Sequence, residues 1–245
     1  MKYDDWQITQ YEELKSTNDT ALDMANIIES GYYVIKAKKQ TNGRGRRGRT
    51  WKSLSGNLFF SMLFKFDIRK AGELAVICSL SLLQVIKKLN ALANVKLKWP
   101  NDVLLNSAKV SGILFEKANG DYIVAGIGVN IAQSPKNAEM LYPVISLKEA
   151  GIDSNADDFL KLYLEVFTDN LNLYAENKFE RLRKLWSDNA KGLNERIVVR
   201  QNGKDIGGIF RGIDEDCALL LENDGKVSRI LVGDVFFEEK ENDGI

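Results

Sequence analysis

The sequence predicts an α+β fold, with a mixed-sheet domain over residues 1–190 and a small β-barrel domain over residues 191–245. Three observations carry this reading. Apolar residues at helical spacing mark residues 73–92 and 156–189, and short strand-like runs surround them. After about Gly192 the texture changes to short β-runs divided by turn residues. At 44% hydrophobic, the 245 residues can bury a substantial core.

Residues 6–14 read as a strand. Ser16 followed by Asp19 resembles a capping box, and Ala21, Leu22, Met24, Ala25, Ile27 and Ile28 give a helical stripe that Gly31 stops. Residues 32–37 and 57–66 read as strands, with a long, nearly apolar-free loop over 38–55 between them. The strongest helix covers 73–92, and a short strand over 95–99 is cut by Pro100. Residues 103–105 and 109–117 read as a hairpin; another strand, 122–131, follows the turn Asn119-Gly120-Asp121. Val110, Ile113 and Phe115 do not share one face of a regular strand, which predicts a bulge near Gly112. Two helices fill 156–189. Five β-runs follow, at 196–200, 206–213, 218–222, 226–232 and 235–238, and their spacing suits a compact barrel.

Composition narrows the chemistry. Lys+Arg and Asp+Glu are 34 each, so the formal net charge is zero. That argues against a coat for nucleic acid, though a local basic patch can still form. The chain has no histidine, which removes Ser-His-Asp triads, Cys-His dyads, histidine bases and histidine-ligated zinc together. Catalysis must then rest on Lys, Arg, Asp, Glu, Tyr, backbone amides or a hard metal. Cys78 and Cys217 are isolated in apolar surroundings and read as buried thiols. No apolar signal core opens the chain and no run reaches about 18 apolar residues. A soluble, cytoplasmic protein with no membrane partner is expected.

Five segments can carry chemistry. Residues 43–49 hold four arginines and three glycines. Glycines let backbone amides approach an anion, and arginines supply forks for phosphate or carboxylate oxygens. A loop of like charges with nothing apolar to pin it is expected to be mobile until a polyanion orders it. Ligand phosphate, RNA or plain solvent are the readings open to it. In Lys98-Trp99-Pro100-Asn101-Asp102, Asp102 can hold a metal or accept a proton, or the segment is simply an Asx-type turn. Lys109 opens an apolar strand, where a desolvated ammonium seeks an anion unless it merely snorkels to water. Gly126, Gly128 and Asn130 suit a flat ligand with a donor and an acceptor edge, or a tight sheet crossing. Ser16-Thr17-Asn18 caps a helix or offers polar groups to a small ligand.

Together and in this order, the segments resemble biotin protein ligases. The resemblance rests on Ser16-Thr17-Asn18, the run from Gly43 to Trp51, Lys98-Trp99-Pro100-Asn101-Asp102, Lys109-Val110-Ser111-Gly112-Ile113-Leu114 and Gly128-Val129-Asn130. The tail, from Arg211-Gly212-Ile213-Asp214 to Gly233-Asp234, is similar to the family's SH3-like C-terminal domain. It implies a catalytic domain of the class II aminoacyl-tRNA synthetase and biotin ligase type. It also implies a two-step reaction through biotinyl-5′-AMP, with biotin, ATP and Mg²⁺, the metal held mainly by the ATP phosphates. The partner implied is a biotin carboxyl carrier protein or domain.

By this resemblance Ser16, Thr17, Asn18 and Gln40 bond the ureido ring, Arg44, Gly45 and Arg46 fold over biotin, and Lys109 and Gly112 complete that site. Arg44, Arg46, Arg49, Trp51, Asn101, Lys109 and Asn130 bind ATP. Trp51 flanks the adenine and Asn130 bonds its edge. Lys109, Arg44 and Arg46 act in catalysis, and Asp102 lies near the incoming carrier lysine. Only 15 residues precede Ser16, too few for the helix-turn-helix domain of the family's repressor members, so DNA binding is not expected. Ser53-Leu54 replaces the family's Ser-Pro, and Ser111 a frequent alanine. The rivals are a lipoate or octanoate ligase or transferase of the same fold, and an RNA-binding module built on the arginine loop. A sheet edge near residues 120–131 is expected to be open to the carrier or to a second copy in a homodimer.

Overall fold

The computed structural model describes residues 1–136 and 142–237. A seven-stranded mixed sheet organises the first part. Its strands are β1 (Trp6–Leu14), β2 (Tyr32–Gln40), β3 (Leu58–Lys65), β4 (Val95–Lys98), β5 (Asp102–Leu105), β6 (Ala108–Lys117) and β7 (Tyr122–Val129). They lie in the order β1-β2-β3-β7-β6-β5-β4, and only β1 and β2 pair in parallel. The helices are α1 (Thr17–Met24), α2 (Ala71–Leu89), α3 (Ala156–Ala175) and α4 (Phe179–Asp188).

Strand alternation sends neighbouring side chains to opposite faces. Val34, Met62 and Ile123 join the large core under α2, α3 and α4, whereas Ile35, Leu63 and Val124 join a small cluster under α1. The three long helices therefore cover one face. The short α1 covers only part of the other, and the remainder of that face is where Ser61, Gly126 and Gly128 point.

Sequence reading and structure part in a few places, each with a local cause. Asn90 caps α2 and accepts from Leu92 N–H, so the helix stops three residues short of 92, and Leu92 is exposed. The stripe expected to run to Ile28 leaves the α-helix after Met24, where 3₁₀-type bonds such as Asn26 N–H to Asp23 O tighten the chain. Ser16 is the N-cap residue, but its side chain makes no capping bond, so there is no capping box. Strand β2 runs three residues into the expected loop, to Gln40. The bulge expected near Gly112 is present, at Val110: Val103 pairs Ser111 while Leu104 pairs Lys109. That extra residue resets the alternation, and Val110, Ile113 and Phe115 all reach the large core. The expected open edge over 120–131 is a correction. Strand β7 lies between β3 and β6, and the sheet's edges are β1 and β4.

The second part is an antiparallel sheet of β8 (Arg196–Gln201), β9 (Lys204–Ile213), β10 (Leu219–Asn223), β11 (Lys226–Ile230) and β12 (Asp234–Phe237). Its order is β11-β10-β9-β8-β12, so among the described residues the ring does not close between β11 and β12. Glu238, expected to end the last strand, lies outside the described residues. Ala190 bridges Leu97, Lys191 N–H donates to Leu97 O at 2.8 Å, and the chain then turns at Gly192 with φ of 80°. This geometry supports the division at residues 190 and 191, which we propose as the domain boundary. No helix among the described residues is long and apolar enough to cross a membrane.

Trp186 fastens α4 to α2. It is 2% exposed and its Nε1 donates to Ser79 Oγ at 3.1 Å. Trp186→Ala leaves a large cavity and removes the bond that Ser79 accepts, although Ser79 Oγ still donates to Ala75 O at 2.6 Å; it is expected to cost about 3–5 kcal/mol in stability by denaturant unfolding.

Candidate active site

A cavity of about 470 Å³ opens on the face that α1 leaves uncovered. All fourteen residues singled out from the sequence line it: Ser16, Thr17, Asn18, Gln40, Arg44, Gly45, Arg46, Arg49, Trp51, Asn101, Asp102, Lys109, Gly112 and Asn130. Distant segments meet here because β2, β7, β6 and the β4–β5 turn end at the same margin of the sheet.

One end is built from neutral, mutually bonded polar groups. Thr17 N–H and Oγ1 donate to Gln40 Oε1 at 2.8 and 3.2 Å. Ser61 Oγ lies 2.8 Å from Thr17 Oγ1 and 2.5 Å from Asn18 Oδ1. Asn18 Nδ2 donates to Glu116 Oε2 at 2.6 Å. Asn18 is packed flat on β7: a Cβ on Gly126 would stand 2.0 Å from its Oδ1. A planar polar ligand would meet fixed donors and acceptors at this end.

Cations gather at the other end. The loop after β2 closes on itself through Gly45 N–H to Arg49 O at 2.7 Å and Trp51 N–H to Gly43 O at 2.9 Å. Ion pairs connect it to the rest of the chain. Arg44 binds Asp19, and Glu116 at 2.9 Å; Arg47 and Arg49 share Asp234 Oδ2 at 2.9 and 2.5 Å. Arg46 is different. It donates to the neutral Asn101 Oδ1 at 2.9 Å and pairs with no carboxylate among the described residues. Burial pulls its pKa down, against Asp234 and Asp102. Burial alone would raise Asp234, but Arg49, Arg47 and Arg46 outweigh it and hold the carboxyl below its usual range.

The bulge at Val110 turns Lys109 onto the cavity face, next to Gly112, where a Cβ would lie 3.0 Å from Lys109 Nζ. The ammonium pairs with Asp102 at 2.6 Å. Trp51 lies flat over β7, and a Cβ on Gly128 would come within 2.4 Å of its ring. The flat group that the glycines admit is thus first of all the chain's own indole. Its Nε1 is buried without a partner among the described residues. Asn130 is buried, with Nδ2 3.3 Å from Ile145 O.

Sequence reasoning missed Asp19, Ser61 and Glu116, which fix Asn18 and Arg44, and it missed Asp234 and Tyr142. A serine within an apolar strand and a strand-end glutamate carry no local signal; only the sheet register brings them here. Among the described residues no three Asp, Glu or Cys side chains gather to hold a metal. Among the described residues, both carboxylates lining the cavity, Asp102 and Asp234, are already paired with bases. The described residues therefore do not form a protein cage for a cation.

The geometry can be set beside known proteins. Residues 11–130 match the model of the Biotin/lipoate A/B protein ligase family, and residues 192–238 match the Biotin protein ligase C terminal domain. The chain is 33% identical over 240 residues to a biotin–[acetyl-CoA-carboxylase] ligase of Paracoccus denitrificans, covering 91% of this chain and 97% of that protein. The chain belongs to the biotin protein ligases. It is also 33% identical over 236 residues to the bifunctional ligase/repressor BirA of Escherichia coli, covering 93% of this chain and 73% of that protein. The biotin protein ligase of Aquifex aeolicus, solved in complex with biotin and ATP, superposes with a TM-score of 0.82 at 27% identity over 94% of this chain and 97% of its own. The Leishmania major ligase with biotinyl-5-AMP gives 0.64 at 25% identity, over 92% and 98%.

Asp234→Asn removes the charge that Arg47 and Arg49 share. Tryptic cleavage after these two arginines is expected to rise several-fold, read by mass spectrometry of timed digests. An unchanged cleavage rate would contradict an ionic pin.

Proposed function

We propose that this chain joins biotin to a lysine of a biotin carboxyl carrier domain in two ATP-dependent steps. First, a biotin carboxylate oxygen attacks the α-phosphorus of ATP. The bond to the β-phosphate oxygen breaks, and biotinyl-5′-AMP and pyrophosphate form. Second, the carrier lysine's amine attacks the acyl carbon, the bond to the phosphate oxygen breaks, and AMP leaves with the electron pair. Family membership and the ligands named in the Aquifex aeolicus and Leishmania major structures support this reading.

The observation that carries it is the polarity of one cavity: neutral hydrogen-bonding groups at one end and positive charge only partly compensated by carboxylates at the other. The ureido ring needs fixed neutral partners, and Ser16, Thr17, Asn18 and Gln40 supply them. Two anions must also meet although they repel. Lys109 and Arg46 screen that repulsion, and Arg44 closes the biotin side with Gly45 and Gly112. Arg49, Asn101, Trp51 and Asn130 serve the nucleotide. No proton transfer is required in the first step, which suits a chain without histidine. Fixed donors of this kind are each worth about 3 kcal/mol in the transition state, or about a hundredfold in rate. Bound alignment of the reactants supplies much of the remainder.

Asp102 holds Lys109 over the reacting atoms and is the group best placed to take the proton that the carrier amine sheds. Mg²⁺ enters with the nucleotide phosphates, since the cavity's carboxylates are engaged by Lys109, Arg47 and Arg49. The carrier is a carboxylase domain by the relatives' names, and a cytoplasmic location follows as part of this proposal. A lipoate ligase is disfavoured because the named relatives are biotin ligases and the C-terminal match is to their domain. No specific observation favours RNA.

Incubation with ATP, biotin and a carrier domain tests the reading. One biotinyl group per carrier is expected by mass spectrometry, and lipoate incorporation in its place would overturn it. Lys109→Ala is expected to cut biotin-dependent pyrophosphate release about 100-fold or more with an unchanged circular dichroism spectrum. An unaltered rate would remove Lys109 from the chemistry.

A further inference from the structure

Lys98 is the charged residue of its motif to which the reading above gives no task. It ends β4, directly across the hairpin from Asp102, and lines the cavity. It is 4% exposed. Among the described residues it has no carboxylate in salt-bridge contact, because Asp102 is taken by Lys109 and Asp234 by Arg47 and Arg49. Its neighbours are aromatic: Nζ stands 3.1 Å from the centre of the Tyr142 ring and 5.7 Å from that of Phe237.

A buried ammonium without a countercharge is costly, and ring faces compensate it only in part. The electric field around it is mixed. Asp102 and Asp234 raise its proton affinity, while Lys109 and Arg49 lower it. Lys191 also faces the Phe237 ring, at 5.6 Å. Tyr142 contributes no negative charge, because burial and then Asp234 push its hydroxyl up to about 12. Burial dominates for Lys98 itself and brings it down to about 8. An arriving anion would find its full positive charge available.

Position selects the anion. Lys98 lies on the side of the cavity formed by β12, through Phe237 and Asp234, and by Arg49. The ureido-type end, at Thr17 and Asn18, belongs to α1, across the cavity. A nucleotide whose α-phosphate meets Lys109 between these ends would extend its terminal phosphates toward β12. We propose that Lys98, as an ammonium, binds the terminal phosphate oxygens of the nucleotide and the diphosphate that leaves. This rests on the ligase reading above. The rival role is that of a neutral amine removing a proton from the carrier lysine in the second step.

Binding of inorganic diphosphate, measured by calorimetry on the intact chain, separates the roles. Lys98→Met is expected to weaken diphosphate binding about tenfold or more, with biotin affinity unchanged and the thermal unfolding temperature not lowered. Lys98→Arg, which stays charged, is expected to restore it. Below pH about 8 the wild-type lysine carries its proton; above that it loses charge and affinity. The wild-type affinity relative to Lys98→Arg is therefore expected to fall as pH rises through the lysine's pKa and to level off near that of Lys98→Met, the ligand's own ionisation cancelling in the ratio. Equal diphosphate binding by wild type and Lys98→Met would overturn the proposal. So would a defect confined to transfer from preformed biotinyl-adenylate. If the wild type made no adenylate yet lost diphosphate binding on substitution, the ligase reading would fail and the anion site would stand.

Discussion

Positive charge held out of water without full compensation is the constraint around which this structure is arranged. Salt bridges engage Arg44, Arg47, Arg49 and Lys109, with one carboxylate shared by Arg47 and Arg49, whereas Arg46 rests on a neutral amide and Lys98 on aromatic rings. Burying such cations costs stability that the core must offset. The large apolar layer between the sheet and α2, α3 and α4 supplies that, and the sheet's other face is left free for chemistry.

The second sheet is part of the site. Asp234 begins β12 and reaches back to two arginines of a loop almost two hundred residues earlier in the chain, and Trp99 Nε1 donates to Cys217 O at 3.0 Å. These contacts tie the small sheet to the arginine loop and to the β4–β5 turn. Its contribution is a carboxylate that spaces the like charges of the arginine loop.

Much of this was legible in the sequence because the chemistry is local. The arginine-glycine run, the Lys98–Asp102 turn and the paired glycines of β7 are each contiguous, and each lines the cavity. What was hidden depends on register and long-range pairing. Val110 is one ordinary apolar residue, yet as the bulge it decides that Lys109 faces the cavity. Ser61 and Glu116 matter only because β3 and β6 flank β7. The open edge expected over 120–131 failed for the same reason: apolar alternation does not reveal which strands lie on either side. The ends of α1 and α2 were misjudged because local turn bonds outcompeted continued helix.

The most direct test of the account is a crystal structure of the chain with biotin and a non-reactive ATP analogue. The account predicts phosphate oxygens within about 3 Å of both Arg46 and Lys109, with the vitamin's ring against Thr17 and Asn18. Phosphates bound elsewhere, with those two cations still turned to Asn101 and Asp102, would contradict it.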